Sequence, residues 1–410
     1  MNVEERIEKA EKKLQEAFGA IDKIALKNQE KVLNAFREER IALRHFAPSS
    51  GYGYGDEGKE VLGKVYARAF GAKRAIVSPA LLSGTHALTV ALFGVLRPKE
   101  RVLCITGVPY DTIRGVIWGK GNGSLSDFGI TFDVTLLNAK GKVDFAAVKE
   151  ALAAKEYRMV YIQRSRGYEL RDAFTVAEIS EMCKFVRSCG FRGCIFADNC
   201  YGEFAEEKEP TEVGVDLMAG SLIKNPGGGI APTGGYIAGK NKYVEQAEYR
   251  LTAPSVGGEV GSYAYGYQQL YQGFFLAPHT VAQALKGGLL IGACLQDLGY
   301  VNFPSANKVP ADITRAVRFH TEKQLTDFIQ SVQECSPIDS YVKLEAWDMP
   351  GYDCKVIMAA GCFVQGASIE LSADAPIRKP YTAYFQGGLT YEHCKIACRH
   401  ILRKLVSGNK

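Results

Sequence analysis

Apolar residues near the start of the chain return every three or four places: Ile7, Ala10, Leu14, Ala17, Phe18, Ile21 and Ala25, with charges between them. That period predicts an amphipathic helix over residues 3–44. The stripe suits either packing on the body of the protein or an arm gripping a second subunit. A loop rich in glycine and tyrosine follows, from Pro48 to Gly58. Its Gly53-x-Gly55-x-x-Gly58 matches a dinucleotide fingerprint by letter, but no strand precedes it, and the fingerprint works only between strand and helix. It is set aside.

From about residue 60 to 240 the pattern alternates. Short apolar runs fall at 74–77, 102–105, 132–136, 159–162, 193–197, 217–223 and 235–238, with helical patterns at 85–96, 144–154 and 176–189. Buried strands alternating with helices predict a mostly parallel sheet covered on both faces. Ligands bind beyond the carboxyl ends of such strands. After a Gly/Pro/Ala-rich stretch at 252–262, a helical segment runs to about 297. The pattern then changes to a helix over 322–335, two short runs at 355–360 and 366–370 that suit antiparallel pairing, and a last helix over 391–406. The expected organisation is an arm and loop (1–60), a large α/β domain (61–297) and a small α+β domain (298–410).

Composition narrows the function. The 410 residues are 47% hydrophobic and 23% charged, ordinary for a globular protein. A net charge of +5 from 50 basic and 45 acidic residues is too balanced for nucleic acid or an anionic membrane as main partner. No run approaches the roughly 18 apolar residues of a membrane span. The acid-rich N-terminus does not read as a targeting segment, so the expected location is the cytoplasm. Eleven cysteines, mostly in apolar runs and with no Cys-x-x-Cys, read as buried reduced thiols. His393-Cys394-x-x-x-Cys398-x-His400 lacks a second ligand pair at metal spacing, so no metal is expected.

The chemistry centres on Lys224, in Ser221-Leu-Ile-Lys224-Asn-Pro-Gly-Gly-Gly229, and on Asp198, which closes the apolar run Cys194-Ile-Phe-Ala. A lysine ending one strand and a carboxylate ending another are what pyridoxal phosphate requires. The amine forms a Schiff base, and the carboxylate keeps the pyridinium nitrogen protonated. Such a lysine is expected to be held near neutral reactivity by burial or a neighbouring cation. Ser83-Gly84-Thr85-His86 opens a helix and offers N–H donors and hydroxyls to a phosphate, with Ser221 adding another. Tyr110 follows a strand and is placed to stack on a cofactor ring or act as an acid. A substrate carboxylate needs a guanidinium. Arg378 is chosen over Arg164 and Arg166. Ser221-x-x-Lys224 also matches penicillin-recognising enzymes, but their Ser-Asp-Asn and Lys-Thr-Gly are missing.

Ser-Gly-Thr-His-Ala at 83–87, Gln163-Arg-Ser-Arg-Gly-Tyr168, Asp198-Asn-Cys-Tyr-Gly-Glu-Phe204, the Lys224 block and Gln386-Gly-Gly-Leu-Thr-Tyr391 together resemble the methionine gamma-lyase-like family, also labelled aluminium resistance protein or cystathionine beta-lyase. The resemblance spans nearly the whole chain. It implies the fold-type-I architecture of pyridoxal-phosphate enzymes of Cys/Met metabolism, as homodimers or homotetramers. By the same analogy Lys224 is the Schiff-base lysine, Asp198 the pyridinium partner and Tyr110 the stacking ring. Gly84, Thr85 and Ser221 would hold the phosphate, and Tyr52 or Tyr54 would reach it from a neighbouring subunit, with the N-terminal arm tipped towards a subunit contact. Ile223 stands where better-known lyases carry threonine, and Ser-Gly-Thr-His replaces Ser-Gly-Met-Ala. The implied activity is a carbon–sulfur lyase on a sulfur-containing amino acid. The alternatives are another pyridoxal-phosphate reaction, such as amino transfer or racemisation, or a cofactor-holding protein with little turnover.

Overall fold

The computed structural model describes residues 1–306, 308–349 and 354–407. Helix α1 (Val3–Glu38) opens the chain. Asn2 caps it: its side-chain oxygen accepts from the Glu5 N–H while the Glu5 carboxylate accepts from the Asn2 N–H, each at 2.9 Å. The helix stops at Glu38 rather than near 44, because Arg40 takes a left-handed φ of 51°. Then come α2 (Glu57–Ala69), β1 (Arg74–Ser78), α3 (Gly84–Val95), β2 (Arg101–Cys104), α4 (Asp111–Trp118) and β3 (Thr131–Val134). After these the chain forms α5 (Phe145–Ala154), β4 (Met159–Gln163), α6 (Val176–Ser188), β5 (Cys194–Asp198), β6 (Leu217–Ser221), β7 (Gly235–Gly239), α7 (Asn241–Leu251) and the long α8 (Gln268–Asp297). No strand precedes Gly53, as the fingerprint would need.

Seven strands form one sheet in the order β1-β7-β6-β5-β4-β2-β3. Strands β2 to β6 run parallel, and β7 is antiparallel to both of its neighbours. Both faces are buried, as a parallel sheet demands. On β4 and β5, Val160, Ile162, Ile195 and Ala197 join one core, while Met159, Tyr161, Cys194 and Phe196 join the other. The expected α/β architecture is present.

The remaining elements are β8 (Val301–Phe303), β9 (Thr314–Arg318), α9 (Glu322–Glu334), β10 (Val356–Ala359), β11 (Ser372–Pro376), β12 (Thr382–Gln386) and α10 (Tyr391–Ser407). The five strands form an antiparallel sheet, β10-β11-β12-β9-β8. One of its faces is buried against α9 and α10 through Leu325, Phe328, Ile329, Ile401 and Leu402. The run at 366–370 is not a strand. Gly366 takes a φ of 79°, and the Glu370 carboxylate accepts from the Phe363 and Val364 N–H groups at 2.9 and 3.0 Å. That loop turns the chain, and Ser372–Pro376 pairs with β10 instead.

The N-terminal stripe packs on the chain's own body, the first of its two expected readings. Ile7 and Ala10 join the small-domain core, and Leu14, Ile21 and Val32 join the core under the large sheet. Helix α8 belongs to both cores as well, with Leu285 and Leu289 in one and Leu290 and Ile291 in the other. At one end of α1, Lys9 pairs with Asp297 at 3.0 Å and Glu11 with Lys395 at 2.8 Å. Towards the other, Asn28 Nδ2 donates to the Phe204 and Glu206 carbonyls at 3.1 and 3.0 Å. Among the described residues, no helix is long and apolar enough to cross a membrane.

Candidate active site

The carboxyl ends of β4, β5 and β6 deliver Gln163, Asp198 and Ser221 to the mouth of one cavity of about 380 Å³. The small sheet closes its other side. This is the crevice that a parallel α/β sheet leaves for ligands.

Lys224 reaches the cavity because the chain turns sharply after β6. Gly227 lies so close to the Leu222 carbonyl oxygen that a Cβ there would sit 1.7 Å from it. Asn225 pins the turn, its Nδ2 donating to the Tyr201 and Glu203 carbonyls at 2.9 Å each. The Lys224 Nζ stands 3.8 Å from the centroid of the Tyr201 ring. Tyr201 itself adopts a strained left-handed φ of 72°. Burial pulls the Lys224 pKa down, but Cys200, Tyr201, Tyr110 and Asp198 outweigh it and hold the amine well above its ordinary value. The expectation of an amine near neutrality is therefore reversed, because acidic groups and not a cation surround it.

Asp198 is buried, and its Oδ1 accepts from the Cys200 N–H at 3.1 Å. Burial pushes its carboxyl up, while Lys224 acts in the opposite direction. Tyr110 stands at the start of α4, its backbone N–H donating to Gln163 Oε1 at 3.0 Å. Burial and then the Asp198 charge push its phenol well up, so it stays protonated.

Helix α3 points its N-terminus at the same place. A Cβ on Gly84 would lie 3.2 Å from Cys200 Sγ, 3.4 Å from Ser221 Cβ and 3.8 Å from Lys224 Nζ, so the helix end comes close to all three. The first N–H groups of a helix have no partner within it. Ser83 serves as the cap, accepting from the His86 N–H at 3.0 Å. The Ser221 hydroxyl is buried without a hydrogen-bond partner, and Thr85 lines the cavity beside it.

Lys224, Asp198, Tyr110, Ser83, Gly84, Thr85 and Ser221 thus meet at one cavity. Tyr52 and Tyr54 do not line it. They stack on each other at 5.3 Å on the surface, each 69% exposed. Arg378 lies beyond the end of β11, exposed and outside the cavity lining, although its charge acts on the Tyr384 phenol. Arg164 is buried on Asn199 and Glu206, at 2.8 and 2.7 Å. Arg166 is buried on the Phe303 carbonyl at 2.6 Å and on Thr314.

The sequence motifs gave no role to Tyr201, Gln163, Tyr168, Asp374, Tyr384 or Gln386, all of which line the cavity. Gln163, Tyr168, Tyr201 and Gln386 sat inside motifs already singled out. Asp374 carried only a weak signal, one acid within a run of small residues. The His393/Cys394/Cys398/His400 group disperses: His393 meets the Cys335 carbonyl at 2.7 Å, His400 meets Glu334 at 2.6 Å, and both cysteines are buried. Among the described residues, no group of three or more His, Cys, Asp or Glu side chains could hold a metal ion.

Known proteins resemble the chain over nearly its whole length. The methionine gamma-lyase family profile matches residues 3–406. The uncharacterized protein YnbB of Bacillus subtilis (strain 168) is 49% identical over 380 residues, covering 92% of this chain and 90% of its own. The crystal structure of a carbon-sulfur lyase involved in aluminum resistance from Clostridium novyi NT superposes with a TM-score of 0.94 at 46% identity, covering 98% of this chain and 95% of that one. The pyridoxal-5'-phosphate dependent protein YhfS from Escherichia coli shares the fold at 16% identity, with a TM-score of 0.65 and coverage of 95% and 97%. With matches of this extent, the chain belongs to the methionine gamma-lyase family.

Proposed function

We propose that the chain is a pyridoxal-phosphate-dependent carbon–sulfur lyase acting on a sulfur-containing amino acid. One observation carries the reading: a lysine, a buried carboxylate and an unpartnered hydroxyl beside a helix N-terminus converge on a single cavity. The residues fit the cofactor. The Ser221 hydroxyl and the first N–H groups of α3 suit a phosphate, with Ser83, Gly84 and Thr85 around it. Asp198 would keep a proton on the ring nitrogen, Tyr110 would cover the ring, and Lys224 would supply the amine that anchors the aldehyde. When bound, pyridoxal phosphate supplies an electron sink for the carbanion at the substrate alpha carbon.

The chain's own groups move the protons. Lys224 Nζ, released unprotonated when the substrate amine takes its place, would take the proton from the substrate alpha carbon. Tyr201 beneath it keeps the amine positioned through that transfer. The Tyr110 phenol, protonated at neutral pH, stands as the acid for the departing sulfur. Loss of the thiol leaves an unsaturated amino acid, which hydrolyses to a keto acid and ammonia.

A homodimer or homotetramer is part of the proposal, with the exposed pair Tyr52 and Tyr54 facing a second copy. The eleven cysteines are free, which suits a reducing compartment, and the proposed location is the cytoplasm. The test is purified protein with cystathionine, methionine and cysteine. Thiol and keto acid should appear from at least one, without acceleration by an added keto acid. No release from any of the three rejects the lyase; acceleration by the keto acid identifies an aminotransferase.

A further inference from the structure

We infer that Asp374 is a specificity residue that recognises a cationic group on the substrate, so the preferred substrate is a sulfur-containing amino acid with a second amine beyond the sulfur. The inference rests on the lyase reading and names the substrate class of that site.

Strand β11 lies between β10 and β12, and its residues alternate between two faces. Ala373 and Ala375 enter the small-domain core. Asp374 points the other way, into the cavity, paired in register with Met358 on one side and Tyr384 on the other. Its carboxylate is held in place. The Tyr168 hydroxyl donates to Oδ2, the Tyr384 hydroxyl donates to the Tyr168 carbonyl at 2.6 Å, and the two rings pack at 4.6 Å. Gln386, whose Nε2 donates to the Ser372 hydroxyl at 3.1 Å, lies beside the same carboxylate and favours its charged form.

A charge balance of the cavity isolates this group. The charged side chains on its lining are Asp111, Asp198, Asp374 and Lys224. Asp111 pairs with Arg114 at 2.8 Å, and Asp198 faces Lys224. Among the described residues, no lysine, arginine or histidine pairs with Asp374. The buried guanidinium groups are committed elsewhere: Arg164 to Glu206, Arg166 to the Phe303 carbonyl, Arg171 to the Ser165 carbonyl and Arg315 to the Pro304 carbonyl. Burial raises the Asp374 carboxyl to about 6, with Tyr168 and Gln386 acting against the rise. It is therefore ionised at neutral pH. A fixed carboxylate with a phenol donor, a neighbouring amide and no cation is incomplete without a ligand that brings one.

The test compares two substrates of the same size, S-(2-aminoethyl)-L-cysteine and S-propyl-L-cysteine, on the holoenzyme. The aminoethyl compound should have the higher kcat/KM, by about tenfold or more. Asp374→Asn should shrink that ratio at least tenfold, chiefly through KM, and Asp374→Glu should restore part of it. The preference should strengthen as pH rises through about 6. Equal handling of the two compounds, or a ratio that Asp374→Asn leaves intact, overturns the inference. Should neither compound release thiol, calorimetric binding of both to wild type, Asp374→Asn and Asp374→Glu separates recognition from turnover. A preference for the amine that Asp374→Asn removes would then keep the recognition and discard the lyase, and equal binding of the two compounds would overturn the recognition itself.

Discussion

The two walls of the cavity are built on opposite principles. On the large-domain side, parallel strands end at the site, and each contributes the residue at its carboxyl tip: Gln163, Asp198 and Ser221, with Lys224 one turn further. On the small-domain side, an antiparallel sheet presents the flat of its face, with Ser372 and Asp374 of β11 and Tyr384 and Gln386 of β12 on the cavity. The first arrangement concentrates chemistry where a strand stops, which short motifs reveal. The second spreads recognition across neighbouring strands far apart in sequence. Under the proposed function, catalysis belongs to the first wall and selection to the second.

The largest effect that would test this division is at Lys224. Lys224→Ala should lower kcat by about 10⁴ or more. Thiol release measures this, and borohydride trapping followed by peptide mapping should lose a pyridoxyl adduct at position 224. Survival of appreciable turnover would remove the catalytic wall from the comparison. A smaller effect is expected at Arg378. Because it stands past the end of β11 and off the lining, Arg378→Ala should change KM by less than about threefold. A tenfold rise would return the carboxylate clamp to that residue and redraw the small-domain wall.

The smallest effect lies beneath the catalytic wall. Glu203 is fully buried, its Oε1 accepting from the Tyr236 hydroxyl at 2.8 Å and its Oε2 unpartnered. Burial lifts its carboxyl from 4.5 to about 8. The folded chain therefore keeps a proton that the unfolded chain loses, and stability falls as pH rises across that window. Glu203→Gln should raise Tm by about 2 °C at pH 8, on the order of 1 kcal/mol, and by less at pH 5. Differential scanning calorimetry at the two pH values checks it. A shift independent of pH would mean that the buried carboxyl is not the cause.

The large domain was legible for a physical reason. Strands buried on both faces are unbroken apolar runs, so 159–162 and 193–197 announced themselves, and the polar residue ending each run stood out. The small domain was less so. Strand β11 reads Ser-Ala-Asp-Ala-Pro, with too little apolar contrast to mark it, and the run at 366–370 drew attention in its place. Arg378 was chosen for its chemistry, but Pro376 ends the strand before it, and the guanidinium leaves the sheet. Lys224 shows a different gap: its position was readable, its electrostatic surroundings were not. Tyr201, Cys200 and Tyr110 come together around it only through the fold.

Helix α1 spans about 54 Å at 1.5 Å per residue over its 36 residues. Anchored to Asp297 and Lys395 at one end and to the Phe204 and Glu206 carbonyls further along, it acts as a splint across both domains. One helix thus ties the two walls of the cavity together, so their spacing depends on contacts made well outside it.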